Sequence, residues 1–298
     1  MIVAARNARS TIGRLLDALE AQTAPRTTFE LVVVDDASTD GMATDVRKRG
    51  WPAPLVSRSR LGPAGARNLA ARHARAELLA ITDADCVPDG DWIERGLARF
   101  AADPGLSMLG GQVTISLPER PSLPQLLDAA TYLTQEGNVS RGWAVTASLW
   151  IRRDAFERAG GFNERLTDAG GEDLELGLCV TSAGGRIAYA PEVRATHPPR
   201  STLRATARKA YRTGRGAAEL RRNARVPVPV RAAALDVRSY LPRTALRRHR
   251  RLRSRGIELG RARRAQMAVV ETAFMSAPKL AGDLVGSVRF LARRSARR

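Results

Sequence analysis

Two carboxylates separated by one residue, Asp83-Ala84-Asp85, follow directly on the apolar run Leu78-Leu79-Ala80-Ile81-Thr82. In extended backbone, residues i and i+2 point to the same side, so this spacing predicts two side chains that address one hard cation. Magnesium or manganese is bound in this manner, by one or two carboxylates with phosphate oxygens completing the shell. A polar turn capping the next helix uses the same residue types, and an acidic motif this short often matches by chance. A second acidic pair, Asp35-Asp36, sharpens the reading, because it too closes an apolar run, Leu31-Val32-Val33-Val34. Open parallel sheets bind ligands beyond the carboxyl ends of their strands. Four carboxylates at one such edge repel one another, and a cation there relieves the repulsion.

Further candidates lie in the loops. Asp35-Asp36-Ala37-Ser38-Thr39-Asp40-Gly41 is a tight polar stretch suited to hydrogen bonding a base and ribose, or to ending a strand and capping a helix. Gly62-Pro63-Ala64-Gly65-Ala66-Arg67-Asn68 opens a helix without the spacing of a dinucleotide fingerprint or a P-loop. Arg67 at that helix start suits a phosphate or base, or is simply solvated. In Gly170-Gly171-Glu172-Asp173 the carboxylates either complement a helix dipole or supply a general base that takes a proton from an attacking hydroxyl. His197, one of 3 histidines, follows a predicted strand and is either structural or a further ligand beside a carboxylate-bound metal.

The elements that must position these residues alternate. Strands are expected at 1–4, 31–34, near 55–56 and at 78–81, with helices at 43–49, 64–74 and 92–100 between and after them. Ile12, Leu15, Leu16 and Leu19 add the apolar stripe of an earlier helix. The runs without polar alternation read as parallel strands covered on both faces. The pattern therefore predicts an α/β fold, a doubly wound, mainly parallel sheet flanked by helices. Mixed segments follow at 112–115, 122–134, 145–151, 154–159, 172–183 and 187–190. Cys86 and Cys179 cannot form a disulfide framework, no Cys/His spacing suggests zinc, and a reducing compartment is the natural setting. No stretch is apolar enough for a membrane span, and Met1–Ala5 is too short for a signal peptide.

In this order the pieces resemble the GT-A glycosyltransferases, and most closely family 2. The matching segments are Ile2-Val3-Ala4-Ala5-Arg6-Asn7, Glu30–Gly41, Gly65-Ala66-Arg67-Asn68, Ile81–Pro88, Ile151–Phe162 and Gly170–Gly177. The resemblance implies a metal-dependent enzyme that moves a sugar from a nucleotide-diphosphate sugar to a hydroxyl acceptor, with inversion. It implies that Asp36 contacts the base with Ala4 and Arg6 nearby, and that Arg67 holds the nucleotide. Asp83 would touch ribose or metal, and Asp85 would coordinate Mg²⁺ or Mn²⁺. Asp173 would be the general base, assisted by Glu172. The 171–197 stretch is also similar to the polypeptide N-acetylgalactosaminyltransferases, which implies His197 as a metal ligand. The family pattern leads one to expect a few residues upstream of Met1, and proline is common near Ala5. Ser148 replaces a frequent asparagine, a change expected to bear on acceptor contacts. A retaining GT-A enzyme and a non-catalytic sugar-nucleotide-binding protein remain alternatives.

Charge divides the chain. Residues 1–198 hold 22 basic and 25 acidic side chains, whereas residues 199–298 hold 27 basic and 5 acidic. A catalytic domain at 1–198 with an Arg-rich helical extension at 199–298 is the expected organisation. Arg204, Arg208, Arg212 and Arg215 fall at helical spacing, seven arginines crowd 243–255, and apolar residues from Leu259 to Leu291 are interleaved. A basic amphipathic region suits an anionic membrane surface, or else forms a solvated or self-packed helical cap; the first reading points to the cytoplasmic, inner face of a membrane and to a lipid-linked or cell-envelope glycan as acceptor. Nucleic acid fits less well. The only aromatics here are Tyr211, Tyr240, Phe274 and Phe290, too few for a stacking platform, and no DNA-binding motif accompanies them.

Overall fold

The computed structural model describes residues 1–131, 135–168, 170–228, 252–253 and 257–295. Of the arginine run at 243–255 only residues 252–253 are among them. Pro229, Tyr240, Pro242 and the end of the helix expected at 122–134 lie outside the described residues, as do the side chains of Val288, Phe290 and Leu291. The chain divides into two compact units, one of residues 1–114, 133–167 and 172–197, the other of residues 115–132, 168–171 and 198–298.

In chain order the strands are β1 (Ile2–Ala5), β2 (Val32–Asp36), β3 (Leu55–Ser57), β4 (Leu78–Asp83), β5 (Val87–Pro88), β6 (Leu106–Ile115), β7 (Leu149–Arg152) and β8 (Arg186–His197). The helices are α1 (Arg9–Glu20), α2 (Met42–Lys48), α3 (Gly62–His73), α4 (Trp92–Ala102), α5 (Leu123–Thr131), α6 (Gln135–Val139), α7 (Arg153–Arg158), α8 (Glu172–Ser182) and α9 (Leu203–Asn223), followed by Arg261–Glu271 and Ala277–Ser295.

The first unit is built on one eight-stranded sheet in the order β3-β2-β1-β4-β7-β6-β8-β5. It is an α/β sheet of the expected class, with a parallel half and an antiparallel half. β1 lies parallel between β2 and β4, so that Ala4 stands level with Val34 on one side and Asp83 on the other. Ile2, Val3 and Val34 are wholly buried, because helices cover both faces of these runs. The stripe Ile12, Leu15, Leu16 and Leu19 of α1 is buried in that cover. β7 pairs antiparallel with β4 and with β6.

Two strands exceed what periodicity indicates. β6 begins at Leu106 rather than 112 and runs through Gly110-Gly111. The glycine at 111 is a packing requirement: a Cβ there would lie 2.2 Å from the Val193 carbonyl oxygen and 2.3 Å from Ser148 Oγ. β8 runs through Pro191, which removes one ladder donor. The strand tolerates it because β5 pairs only with Ala195 and Thr196, leaving that edge at Pro191 without a partner in β5.

The second unit has its own apolar core, formed by Leu126, Leu127, Ala129 and Ala130 of α5 with Leu252, Leu259 and Met267. Asp128, on the same helix, is buried yet ionised. Arg200 Nη1 donates to both of its oxygens, at 2.9 and 3.1 Å, and Lys209 Nζ approaches to 3.3 Å. Burial alone would raise this carboxyl, but Lys209 and Arg200 outweigh it and hold the pKa below the usual value. α9 packs backbone to backbone on Ala277–Ser295. A Cβ on Gly214 would lie 2.0 Å from the Lys279 carbonyl oxygen, and one on Gly282 equally close to that of Tyr211.

Candidate functional site

The carboxyl ends of β1, β2 and β4 carry the loops in which the sequence places its chemistry. The first two loops are tied to each other. The Asn7 amide donates to Ser38 Oγ at 2.9 Å, and the Thr39 amide donates to Asn7 Oδ1 at 2.9 Å. Asn7 and Ala37 both adopt left-handed backbone, φ 50° and 54°. For alanine that region costs about 1–2 kcal/mol, partly offset by the ~0.5–1 kcal/mol of extra chain entropy that glycine would lose on folding. Ala37→Gly is therefore expected to stabilise the protein by about 0.5–1 kcal/mol. A thermal melt that fails to rise would show that this loop is unstrained.

Asp35 and Asp36 face different tasks. Asp35 Oδ1 accepts from the Ser38 amide at 2.9 Å and shapes the loop. Asp36 accepts from the amides of Leu61 and Gly62, at 2.5 and 3.1 Å, through its two oxygens in turn. It thereby pins the start of α3, whose Gly62 has φ 78° and whose Cβ would meet the Thr167 carbonyl oxygen at 2.8 Å. Ala4 is half-buried on β1 and Arg6 is exposed just beyond it.

α3 delivers Arg67 into the interior, 5% exposed. Its Nη2 donates to Asp83 Oδ1 at 2.9 Å and to Thr146 Oγ1 at 2.8 Å, while Nη1 donates to Glu172 Oε1 at 3.0 Å. Thr146 Oγ1 in turn lies 3.3 Å from Asp83 Oδ1. Burial disfavours the guanidinium charge, but Asp83 and Glu172 outweigh it, so Arg67 remains a cation. Asp173 stands beside this cluster at the start of α8, after Gly170 and Gly171 at φ 127° and 126°. Its pKa is pushed up to about 7, first by burial and then by the neighbouring Glu172 charge, with Arg67 pulling the other way. A carboxylate that titrates near neutrality is suited to accept a proton during a reaction.

Asp85 turns elsewhere. β4 ends at Asp83, and the Cys86 amide bonds back to the Asp83 carbonyl at 3.0 Å, so the i, i+2 alternation expected for the acidic pair stops before Asp85. The β5–β8 ladder pairs Val87 with Thr196, and continuing that register sets position 86 opposite position 197. His197 Nε2 accordingly lies 3.5 Å from Asp85 Oδ2, and Cys86 completes a group whose potential ligand atoms lie within 4.8 Å of one another. Burial, followed by Asp83 and Asp85, keeps the Cys86 thiol protonated, with its pKa well above the ordinary value. Asp85 and His197 then supply a carboxylate oxygen and an imidazole nitrogen, a donor set that fits a divalent cation such as Mn²⁺ or Mg²⁺ with its other positions left to ligand oxygens.

The predicted residues thus form two groups joined by the 83–86 turn. Asp83, Glu172 and Asp173 gather at Arg67, and Asp85 meets His197. Asp36 belongs to neither, holding α3 instead. Ser148 is completely buried and accepts from Trp92 Nε1 at 2.9 Å, so its hydroxyl is part of the core and not of an acceptor surface. Thr146 and Cys86 were not singled out as site residues by their sequence context. Thr146 carries no motif signal, and Cys86 becomes visible only through a strand ladder that spans more than a hundred positions.

Residues 1–160 match the family described as Glycosyl transferase family 2. The chain belongs to this family. Among the relatives of this family 2 glycosyltransferase is the glycosyltransferase AglE of Haloferax volcanii, 28% identical over 221 residues, which cover 72% of the chain and 71% of AglE. The pre-mycofactocin glycosyltransferase of Mycobacterium tuberculosis is 27% identical over 233 residues, 73% of the chain but only 46% of that protein. The fold of this chain is shared by a mannosyltransferase from Pyrobaculum calidifontis solved in complex with GDP-Man and Mn²⁺. The TM-score there is 0.62 at 23% identity, covering 96% of the chain and 86% of the mannosyltransferase. Among the described residues no helix is long and apolar enough to cross a membrane.

Proposed function

We propose that this glycosyltransferase transfers a sugar from a nucleotide-diphosphate sugar to an acceptor hydroxyl with inversion, and that Asp173 is the base. The observation that carries the reading is the place of Asp173 at the start of α8, beside the ion pairs of Arg67 with Asp83 and Glu172, where burial and the Glu172 charge push its pKa up to about 7. The acceptor hydroxyl passes its proton to Asp173, its oxygen bonds to the anomeric carbon, and the bond from that carbon to the diphosphate oxygen breaks with its electron pair leaving on the diphosphate. Arg67 holds Asp83 and Glu172 in place through its ion pairs, so that Asp173 is the carboxyl left to carry the proton. Ala4, Arg6 and the loop pinned by Asp36 form the proposed base-binding edge, with Asp83 beside the ribose. Asp85 and His197 are the proposed ligands of Mn²⁺ or Mg²⁺, which when bound offsets the charge developing on the leaving diphosphate. The likeness to a fold solved with GDP-Man and Mn²⁺ supports the donor and metal classes. The strongly cationic 199–298 region supports a lipid-linked or cell-envelope glycan as acceptor.

A thermal-shift series with GDP, UDP and ADP, each with and without Mn²⁺, tests donor binding. A nucleotide at a hundred times its Kd stabilises the folded state by about 2.7 kcal/mol, so one diphosphate is expected to raise the melting temperature by several degrees, and only with the metal. No shift with any of the three would remove the reading. The anomeric configuration of the transferred sugar, followed by NMR, tests inversion; retention would reassign Asp173.

A further inference from the structure

We propose that the second unit docks on an anionic membrane surface through a stripe formed by Val269, Ala273, Ala277, Leu280 and Leu284. Val269 is 69%, Leu280 40% and Leu284 58% exposed, and they account for three of the four exposed large hydrophobic residues among the described residues. Ala273 and Ala277 between them are exposed as well. Successive spacings of four, four, three and four residues keep all five on one face of the helical segment that runs from Arg261 through the π turn Thr272–Ser276 to Ser295. At 1.5 Å per residue the stripe is about 22 Å long.

This face is not the one that builds the unit. Met267, Glu271, Gly282 and Asp283 are buried on the other side, where Gly282 meets the Tyr211 backbone and Asp283 pairs with Arg221. Single exposed apolar residues are ordinary on a protein surface; a second helical stripe on a helix whose inner face is already packed is not. Its surroundings indicate the partner. Arg261, Arg263 and Arg264 at the start of the same segment are exposed, as are Arg204 and Arg208 elsewhere in the unit, while the segment's own acids Glu271 and Asp283 are buried and the exposed Glu258 is paired with Arg253. A helix with one narrow apolar face and a cationic rim lies in the plane of a headgroup layer, held by apolar burial and by attraction to acidic lipid. Nucleic acid would answer the charge alone and leave an aliphatic stripe without a stacking partner.

The test uses the full chain and vesicles made of equal parts phosphatidylcholine and phosphatidylglycerol, compared with phosphatidylcholine alone. Flotation is expected with the anionic vesicles, weakening at about 1 M salt where the screening length is about 3 Å. The variant Val269→Ser/Leu280→Ser/Leu284→Ser is expected to lower partitioning about tenfold or more, with donor turnover in solution unchanged. Leu284→Trp supplies an independent signal, a blue shift on adding anionic vesicles. Equal flotation of the triple variant, or no blue shift, would overturn the proposal. So would a random DNA duplex bound in place of vesicles, or a dimer in solution that the triple variant dissolves. Because the readout is partitioning, its failure is distinct from failure of the catalytic reading.

Discussion

Asp173→Asn is expected to lower kcat by about two to four orders of magnitude, the range that general-base assistance supplies, while leaving donor affinity within about twofold. The amide keeps the shape of the side chain but cannot accept the acceptor's proton. In the wild type, kcat/KM should climb with pH through a midpoint near the Asp173 pKa of about 7, because only the ionised carboxyl is a base. The residual activity of the variant should lack that limb. Stability moves the opposite way. The pKa of this carboxyl is raised in the folded state from the ordinary 3.8, so the folded protein holds the proton more tightly and stability declines as pH rises from about 4 through about 7. The asparagine variant should therefore melt above the wild type at pH 8 and together with it near pH 4. Loss of donor binding with normal turnover at saturation would dismiss Asp173 as the base.

Arg67→Met is expected to cost about 3–5 kcal/mol of stability, the usual consequence of removing one partner from a buried ion pair. At about 2–4 °C per kcal/mol, the melting temperature should fall by roughly 10 °C. The cause is not lost packing, since methionine fills much of the same space, but the loss of the cation shared by Asp83 and Glu172. Arg67→Met/Glu172→Gln should recover part of the loss, because it removes one of the stranded charges, and differential melting of the two variants measures that coupling. Arg67 also pulls the Asp173 pKa down, so the single variant should shift the acid limb of kcat/KM to higher pH. Arg67→Lys should rescue incompletely, as a single ammonium cannot reproduce the forked contact with Asp83, Thr146 and Glu172. Strictly additive losses in the double variant would mean that the arginine acts through packing alone.

Much of this was legible in the linear chain. The unbroken apolar runs at 31–34 and 78–82, the stripe of α1, and acids stationed just past two strand ends identify an α/β sheet and the edge where its ligands belong. These signals are local: burial on both faces of a strand, or on one side of a helix, imprints itself on neighbouring residues as periodicity. The order of Asp35-Asp36, Asp83-Ala84-Asp85 and Glu172-Asp173 carries the family resemblance, and the break in charge near residue 198 is likewise written in composition.

Contacts between distant positions are not. The i, i+2 spacing directs Asp83 and Asp85 to one cation, yet the strand stops between them, and one joins Arg67 while the other meets His197. The close approach of Val193 and Ser148 to Gly111 leaves no mark in the residues around it. Asp36 resembles a free acceptor until the Leu61 and Gly62 amides at the start of α3 each donate to one of its oxygens. Tertiary packing decided each of these. Pairing across a sheet is fixed by strand order and register, and a raised carboxyl pKa by the burial and charges brought around it, and neither leaves a periodic trace in the chain that supplies the atoms.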